Sequence, residues 1–392
     1  MRVLKKRCFR VWTLCVVGLA IGACSDASES QDSPCADSEV RSPVTGACIP
    51  ADKSTTNNPT NNSSSANAET GANDGGTNNE TTPAIDMGNG NNSLVDAGKD
   101  DDAGTQPPPR IVRFVAIGDT GTGSDTQKQV GQSIGTVCTA LGGCDFGMLL
   151  GDNVYDSGVS SVDDALFQSY FVVPYGHLGF PFYAVLGNHD LGGDGLGLDL
   201  DTDKGAYQIG YSQMNPMWKM PAEFYQVDRD PVWMVGLNTT DAFFSADDDQ
   251  RAVLPGWLAS APPNRWKIAF GHHPYISNGR HGNAGEYEGL PFVPIANGEG
   301  VKRFIDDHVC GNFDIYLSGH DHNRQDLGET CGTTFIVSGA GAKTTDIEDR
   351  GNTTFFEEDT EGFAILEITP SVAKIQFYDA NGVLEHERSI TR

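Results

Sequence analysis

From residue 111 onward the chain breaks into short apolar runs, each closed by a glycine and a polar residue. Ile111-Val112-Arg113-Phe114-Val115-Ala116-Ile117 reads as a buried strand and ends in Gly118-Asp119. Residues 125–141 then carry apolar positions at helical spacing. Phe146 to Leu150 is a second strand-like run, ending in Gly151-Asp152, and 163–173 reads as a helix. Phe182 to Leu186 is a third run, ending in Gly187-Asn188-His189-Asp190. Val232–Leu237 and Trp266–Phe270 read as further strands, the latter ending in Gly271-His272-His273. Ile315-Tyr316-Leu317 ends in Ser318-Gly319-His320-Asp321-His322. After Thr333 the period shortens, and strands are predicted over 333–338, 362–369, 372–378 and 383–390. Strands alternating with helices, followed by a β-rich stretch, predict a layered α/β domain with sheets at its centre.

Upstream the pattern changes. Residues 25–109 hold almost no aromatic or branched aliphatic residues, and 51–109 are rich in Asn, Ser, Thr and Gly. Such a segment buries too little surface to offset chain entropy and is expected to be a flexible tether. Before it, Arg2, Lys5, Lys6, Arg7 and Arg10 precede a short apolar core from Val11 to Ala23. Charge, length and the small residues at its end read as a secretory signal. The stretch Leu19-Ala20-Ile21-Gly22-Ala23-Cys24 also resembles a bacterial lipoprotein signal, in which the cysteine is lipidated and becomes the new N-terminus. The expected organisation is a signal over 1–23, a tether over 24–110 and a folded domain over 111–392. The implied location is outside the cytosol, anchored by lipid to a bacterial membrane through Cys24.

The composition supports this division. Lys and Arg number 26 against 53 Asp and Glu, a net charge of −27. Nucleic-acid binders carry a basic face, so this balance argues against nucleic acid as a partner. No apolar run reaches the roughly 18 residues of a membrane-spanning helix. Cys8 and Cys15 lie in the signal, and six cysteines remain after Cys24. Local spacing favours Cys35–Cys48, Cys138–Cys144 and Cys310–Cys331, pairs that persist in an exported protein.

The chemistry lies at the strand ends. Asp119, Asp152, Asn188, His272 and the His320/His322 pair each follow a glycine that closes an apolar run. In open α/β sheets, sites form outside the carboxyl ends of the strands. Glycine there allows a sharp turn and a close approach. One Gly-Asp is an ordinary turn; five such ends supplying Asp, Asn and His together point to a metal centre. Gly118-Asp-Thr-Gly-Thr-Gly123 lacks the order of a dinucleotide loop, no phosphate-loop lysine follows, and no serine-hydrolase elbow is found.

As a set, these residues resemble the calcineurin-like metallophosphoesterases, and most of all the small, tartrate-resistant type of purple acid phosphatase. Five blocks match in order: Gly118-Asp119-Thr-Gly121, Gly151-Asp152-Asn-Val-Tyr155, Gly187-Asn188-His189-Asp190, Gly271-His272-His-Pro274 and Gly319-His320-Asp-His322. The resemblance implies a four-layer α/β/β/α sandwich with two metal ions at one edge of its sheets. It implies Fe(III) held by Asp119, Asp152, Tyr155 and His322, and a divalent Fe, Zn or Mn held by Asp152, Asn188, His272 and His320. Tyr155 carries the narrower assignment, because a phenolate suits a hard ferric ion. His189 and His281 match histidines that orient phosphate or protonate the leaving group. His273 stands where relatives carry an aromatic, which leaves a choice between His272 and His273 that favours His272. Thr120 replaces a frequent tryptophan, and 238–258 looks short beside the cleavable loop of the animal enzymes.

The activity so implied is acid hydrolysis of phosphate monoesters, with two metals clamping the phosphate and activating water for in-line attack. A phosphodiesterase or nucleotidase on a dinuclear Zn or Mn centre is the alternative within enzymes. A non-catalytic surface protein is the alternative outside them. The substrate is expected to be a small phosphate ester; neither its identity nor the oligomeric state is legible.

Overall fold

The computed structural model describes residues 110–192, 200–290, 292 and 296–392, with the backbone of 39–41 and 48–50. The signal, the tether, lipidation at Cys24 and the Cys35–Cys48 pair lie outside the described residues. Within the separate unit 1–98, β1 (Glu39–Arg41) and β2 (Cys48–Pro50) pair antiparallel, Val40 opposite Ile49.

The rest of the described chain builds two seven-stranded sheets. The first has the order β16-β15-β14-β3-β4-β5-β6. Its parallel half is β3 (Val112–Ile117), β4 (Phe146–Leu149), β5 (Phe182–Ala184) and β6 (Trp218–Lys219). Its antiparallel half is β14 (Gly362–Ile368), β15 (Val372–Asp379) and β16 (Leu384–Thr391). The second has the order β13-β11-β12-β10-β9-β8-β7. Here β8 (Val232–Gly236), β9 (Trp266–Phe270), β10 (Ile315–Ser318) and β12 (Thr333–Ser338) run parallel. The outer strands β7 (Tyr225–Arg229), β11 (Arg324–Thr330) and β13 (Phe356–Glu358) run antiparallel to their neighbours.

Alternation along the strands explains how the sheets pack. In β8, Val232 and Met234 join one core with Phe114 and Leu366 of the first sheet, while Trp233 and Val235 join another with Val301, Phe304 and Ile305. A strand covered on both faces reads as a continuous apolar run, and all five residues of β8 are buried. The second core is closed by α7 (Glu299–His308), with α5 (Thr239–Phe243) and α6 (Asp248–Ala259) beside it. On the first sheet, α1 (Asp125–Ala140) buries Val130, Ile134 and Val137. Ser124 caps α1 by accepting the Gln127 N–H at 3.1 Å. The helix read over 163–173 begins at Ala165 and runs through α2 (Ala165–Phe167), a π turn over Gln168–Val172 and α3 (Val173–Tyr175). A further helix, α4 (Thr202–Tyr211), lies where no element was expected.

Two of the expected disulfides, Cys138–Cys144 and Cys310–Cys331, are bonded, each with Cα atoms 5.3 Å apart. The letters G-x-S-x-G do occur at Gly131–Gly135, but inside α1, where the Ser133 hydroxyl donates to the Ala380 carbonyl at 2.7 Å. That is a helix interior and not a strand-to-helix elbow.

Candidate metal centre

The parallel strands of both sheets bring their carboxyl ends to one edge. The Gly118 N–H donates to the Ser338 carbonyl at 2.7 Å, so the ends of β3 and β12 are tied across the sheets. The Asp119 N–H donates to the Gly151 carbonyl at 3.0 Å, and Gly319 donates to His272 at 3.0 Å. Asp119, Asp152 and His320 hold φ of 58°, 51° and 70°. Left-handed backbone at a non-glycine residue costs on the order of 1–3 kcal/mol, and such residues gather at functional sites. Close packing explains two glycines of the motifs. A Cβ on Gly319 would lie 2.4 Å from Asp119 Oδ2, and one on Gly187 would lie 2.2 Å from Asp152 Oδ1.

All seven residues expected as ligands meet at this edge, in two lobes. In the first, Tyr155 Oη lies 3.0 Å from Asp119 Oδ1 and 3.1 Å from His322 Nε2. In the second, His272 Nε2 lies 3.0 Å from Asn188 Oδ1 and 3.1 Å from His320 Nδ1. Asp152 belongs to both. One carboxylate oxygen shares a group within 4.8 Å with Asp119 and His322, and Oδ1 lies 3.4 Å from His272 Nε2. The His272/His273 choice resolves by orientation: His273 turns Nδ1 to the Thr239 hydroxyl at 3.0 Å and stacks on Phe243.

The donor chemistry fits cations. His272 commits Nδ1–H to the Leu150 carbonyl at 2.9 Å, which turns the lone pair of Nε2 toward Asp152 and Asn188. In the neutral ring, acceptor atoms therefore face one another at this point. Burial alone would push the His272 imidazole down, yet the charges of Asp152 and Asp119 hold it above its usual range. Burial likewise works against the Asp119 carboxylate, and the hydrogen bond to His322, the fields of His272 and His322 and the His320 backbone N–H together hold its pKa low. Burial and the Asp119 and Asp152 charges drive the Tyr155 hydroxyl well above its ordinary value. A bound cation reverses that balance, because it satisfies both carboxylates and favours the phenolate.

The two further histidines flank the lobes. His189 packs on the Tyr155 ring with centroids 4.7 Å apart, and its Nδ1 meets the Asp156 carbonyl at 2.7 Å. His281 stacks on His320 at 4.1 Å and pairs its Nδ1 with Glu288. Burial opposes protonation of His281, but the bond to Glu288 and the nearby Asp321 charge raise its pKa. Its backbone N–H donates to Asp321 Oδ1 at 2.7 Å, tying the loop of His281 to the segment between His320 and His322.

Four supporting residues escaped the sequence reading. Asp321 and Asp190 stood inside the matched blocks without an assigned role. Asp190 is buried and accepts from the Gly187, Asn153 and Val154 N–H groups and from Gln208 Nε2, which braces the Asn188 and Asp152 loops together. Glu288 and Lys343 carried no sequence signal.

Residues 112–324 match the calcineurin-like phosphoesterase family, and the chain belongs to that family. It is 30% identical to purple acid phosphatase 4 of Arabidopsis thaliana over 313 residues, covering 71% of this chain and 84% of that protein. It is 28% identical to tartrate-resistant acid phosphatase type 5 of Sus scrofa, covering 71% of this chain and 86% of that one. Among solved structures, that of GAP50, the anchor in the inner membrane complex of Plasmodium, aligns at 18% identity with a TM-score of 0.56. It covers 72% of this chain and 89% of that chain, a likeness of fold. The protein is thus a metal-dependent phosphoester hydrolase with a dinuclear metal site.

Proposed function

We propose that this chain is an exported, lipid-anchored acid phosphatase acting on small phosphate monoesters. The residues that would hold Fe(III) are Asp119, Asp152, Tyr155 and His322. Those that would hold a divalent partner are Asp152, Asn188, His272 and His320. The observation that carries the reading is the Tyr155 hydroxyl, set 3.0 Å from Asp119 and 3.1 Å from His322 instead of packing behind them. Bound metals would supply Lewis acidity toward the phosphate and lower the pKa of water.

The chain's own residues do the rest. His189 and His281 supply donors at the rim of the site, where an incoming phosphate is oriented. Glu288 holds His281 Nδ1, which leaves Nε2 to deliver a proton to the departing alcohol. With 53 acidic against 26 basic residues, the protein's long-range field does not draw in an anionic ester. The attraction must be local, from the metals and these histidines. Anchoring and export rest on the signal-like N-terminus, whose Cys24 follows Ala-Ile-Gly-Ala.

Metal analysis with a visible spectrum of the purified protein tests the centre. One iron and one divalent ion per chain, with a phenolate-to-iron band, are expected after expression with iron, zinc and manganese all supplied. Two zinc or two manganese ions without iron would reduce the reading to a dinuclear phosphoesterase of the wider family. Faster hydrolysis of bis(p-nitrophenyl) phosphate than of p-nitrophenyl phosphate would move the substrate class to diesters.

A further inference from the structure

One cation at the edge of the centre has no place in the ligand set. Lys343 stands on the turn that follows β12, and backbone bonds pin that turn to the ligand loops. The Gly341 N–H donates to the Gly118 carbonyl at 3.2 Å, next to Asp119. The Thr345 N–H donates to the His322 carbonyl at 2.9 Å. Gly339 donates to Asn323 at 3.0 Å. Between these pins Lys343 places Nζ 3.4 Å from the centroid of the Tyr155 ring. Asp156 Oδ1 lies 3.7 Å from the same ammonium. The lysine side chain is 34% exposed and Tyr155 is buried, so the charge acts on the ring with water largely excluded between them.

We propose that Lys343 is a positioning residue that sets the donor strength of the Tyr155 oxygen toward the metal centre. The inference rests on the reading of Tyr155 as a phenolate ligand to Fe(III). An ammonium over an aromatic face attracts the π electrons of the ring. On a phenolate those electrons are the ones that charge transfer moves toward the iron. Lys343 therefore lowers the energy of the donor orbital, moves the band to shorter wavelength and raises the reduction potential of the iron. The cation acts through its field on the ring that it faces. Its loop keeps it in place through bonds to the two segments that supply ligands to the same metal, so the tuning is part of the site's construction.

The test uses the full holoprotein as wild type, Lys343→Met and Lys343→Arg, each with metal content and visible spectrum measured. Methionine keeps the apolar stem and removes the charge; arginine restores it. Lys343→Met is expected to retain both metals while its band moves to longer wavelength. Its reduction potential should fall, and Lys343→Arg should return the band toward wild type. A full metal complement with the band unmoved in Lys343→Met overturns the proposal alone. A wild type without iron and without the band removes the iron reading and this inference with it. If Lys343→Met loses metal, Asp156→Asn reads the same field in the opposite direction. Freeing the ammonium from its carboxylate should move the band to shorter wavelength, and no movement would overturn the proposal.

Discussion

A hydrogen bond at one ring nitrogen fixes the orientation and tautomer of a histidine, and Glu288 holds His281 in this way. Its ring stacks on that of His320, with centroids 4.1 Å apart. His281→Ala should therefore lower kcat on alkyl phosphates by about 10²–10⁴-fold, the usual contribution of a general acid. p-Nitrophenyl phosphate should suffer less, because its leaving group departs without a proton. Metal content should match wild type; equal kinetics on both esters would return His281 to the surface, and a lost metal would make it a ligand. The convergence of Asp119, Asp152, Asn188, His272 and His320 was legible because each follows a glycine at a strand end, and that pattern survives in the linear chain; Tyr155 came from the family resemblance. Glu288 and Lys343 were not, since their effect depends on where a coil and a turn come to rest against His281 and Tyr155. Asp321 was visible in its block, but its task of accepting the His281 N–H belongs to a contact 40 residues away.

At the scale of elements, the buried parallel strands were easy to read because both of their faces are apolar. Of the missed strands, β6, β7 and β13 are short or mostly exposed at sheet edges, while the longer β11 buries polar residues. β11 opens with Arg324, Gln325 and Asp326, all buried. Asp326 is satisfied by Arg388 through two contacts of 2.6 Å, and Arg324 by Glu385 at 2.5 Å. No periodic pattern announces partners that lie on β16. The same logic yields a pH prediction at the β3–β14 pair, where Arg113 and Glu367 face each other in register. Arg113 Nε lies 2.5 Å from Glu367, and Lys374 Nζ lies 3.2 Å away. Burial alone would raise the Glu367 pKa, but these two cations hold it below the ordinary glutamate range. A depressed carboxylate adds stability above its unfolded pKa and loses it as pH falls through the folded one. Wild type should thus lose stability below about pH 4.5 more steeply than Glu367→Gln, which has no proton to take up. Urea midpoints of the two proteins between pH 6 and pH 3 check this, and parallel curves would show that the pair carries no linkage.

On the proposed reading, the molecule as a whole separates its anchor from its chemistry. Both hydrophobic cores of the described residues draw on positions from Val112 to Tyr378, and the site is built between Asp119 and Lys343. Residues 51–109 offer too little apolar surface to join either core. No described helix is long and apolar enough to cross a membrane. The attachment proposed above is through the N-terminal Cys24. A single acyl chain binds membranes only marginally, and stable anchoring takes two signals, such as dual acylation. A lipoprotein-type cysteine satisfies that requirement through its several chains. Cys24→Ala should accordingly move the protein from the membrane fraction to the soluble fraction with kcat/KM and both metals unchanged. A chain starting at Arg110 and exported by another leader should match the soluble variant in circular dichroism and in activity. Membrane retention of Cys24→Ala would place the attachment elsewhere. Loss of structure in the shortened chain would show that 1–109 contribute to the fold and not merely to its reach.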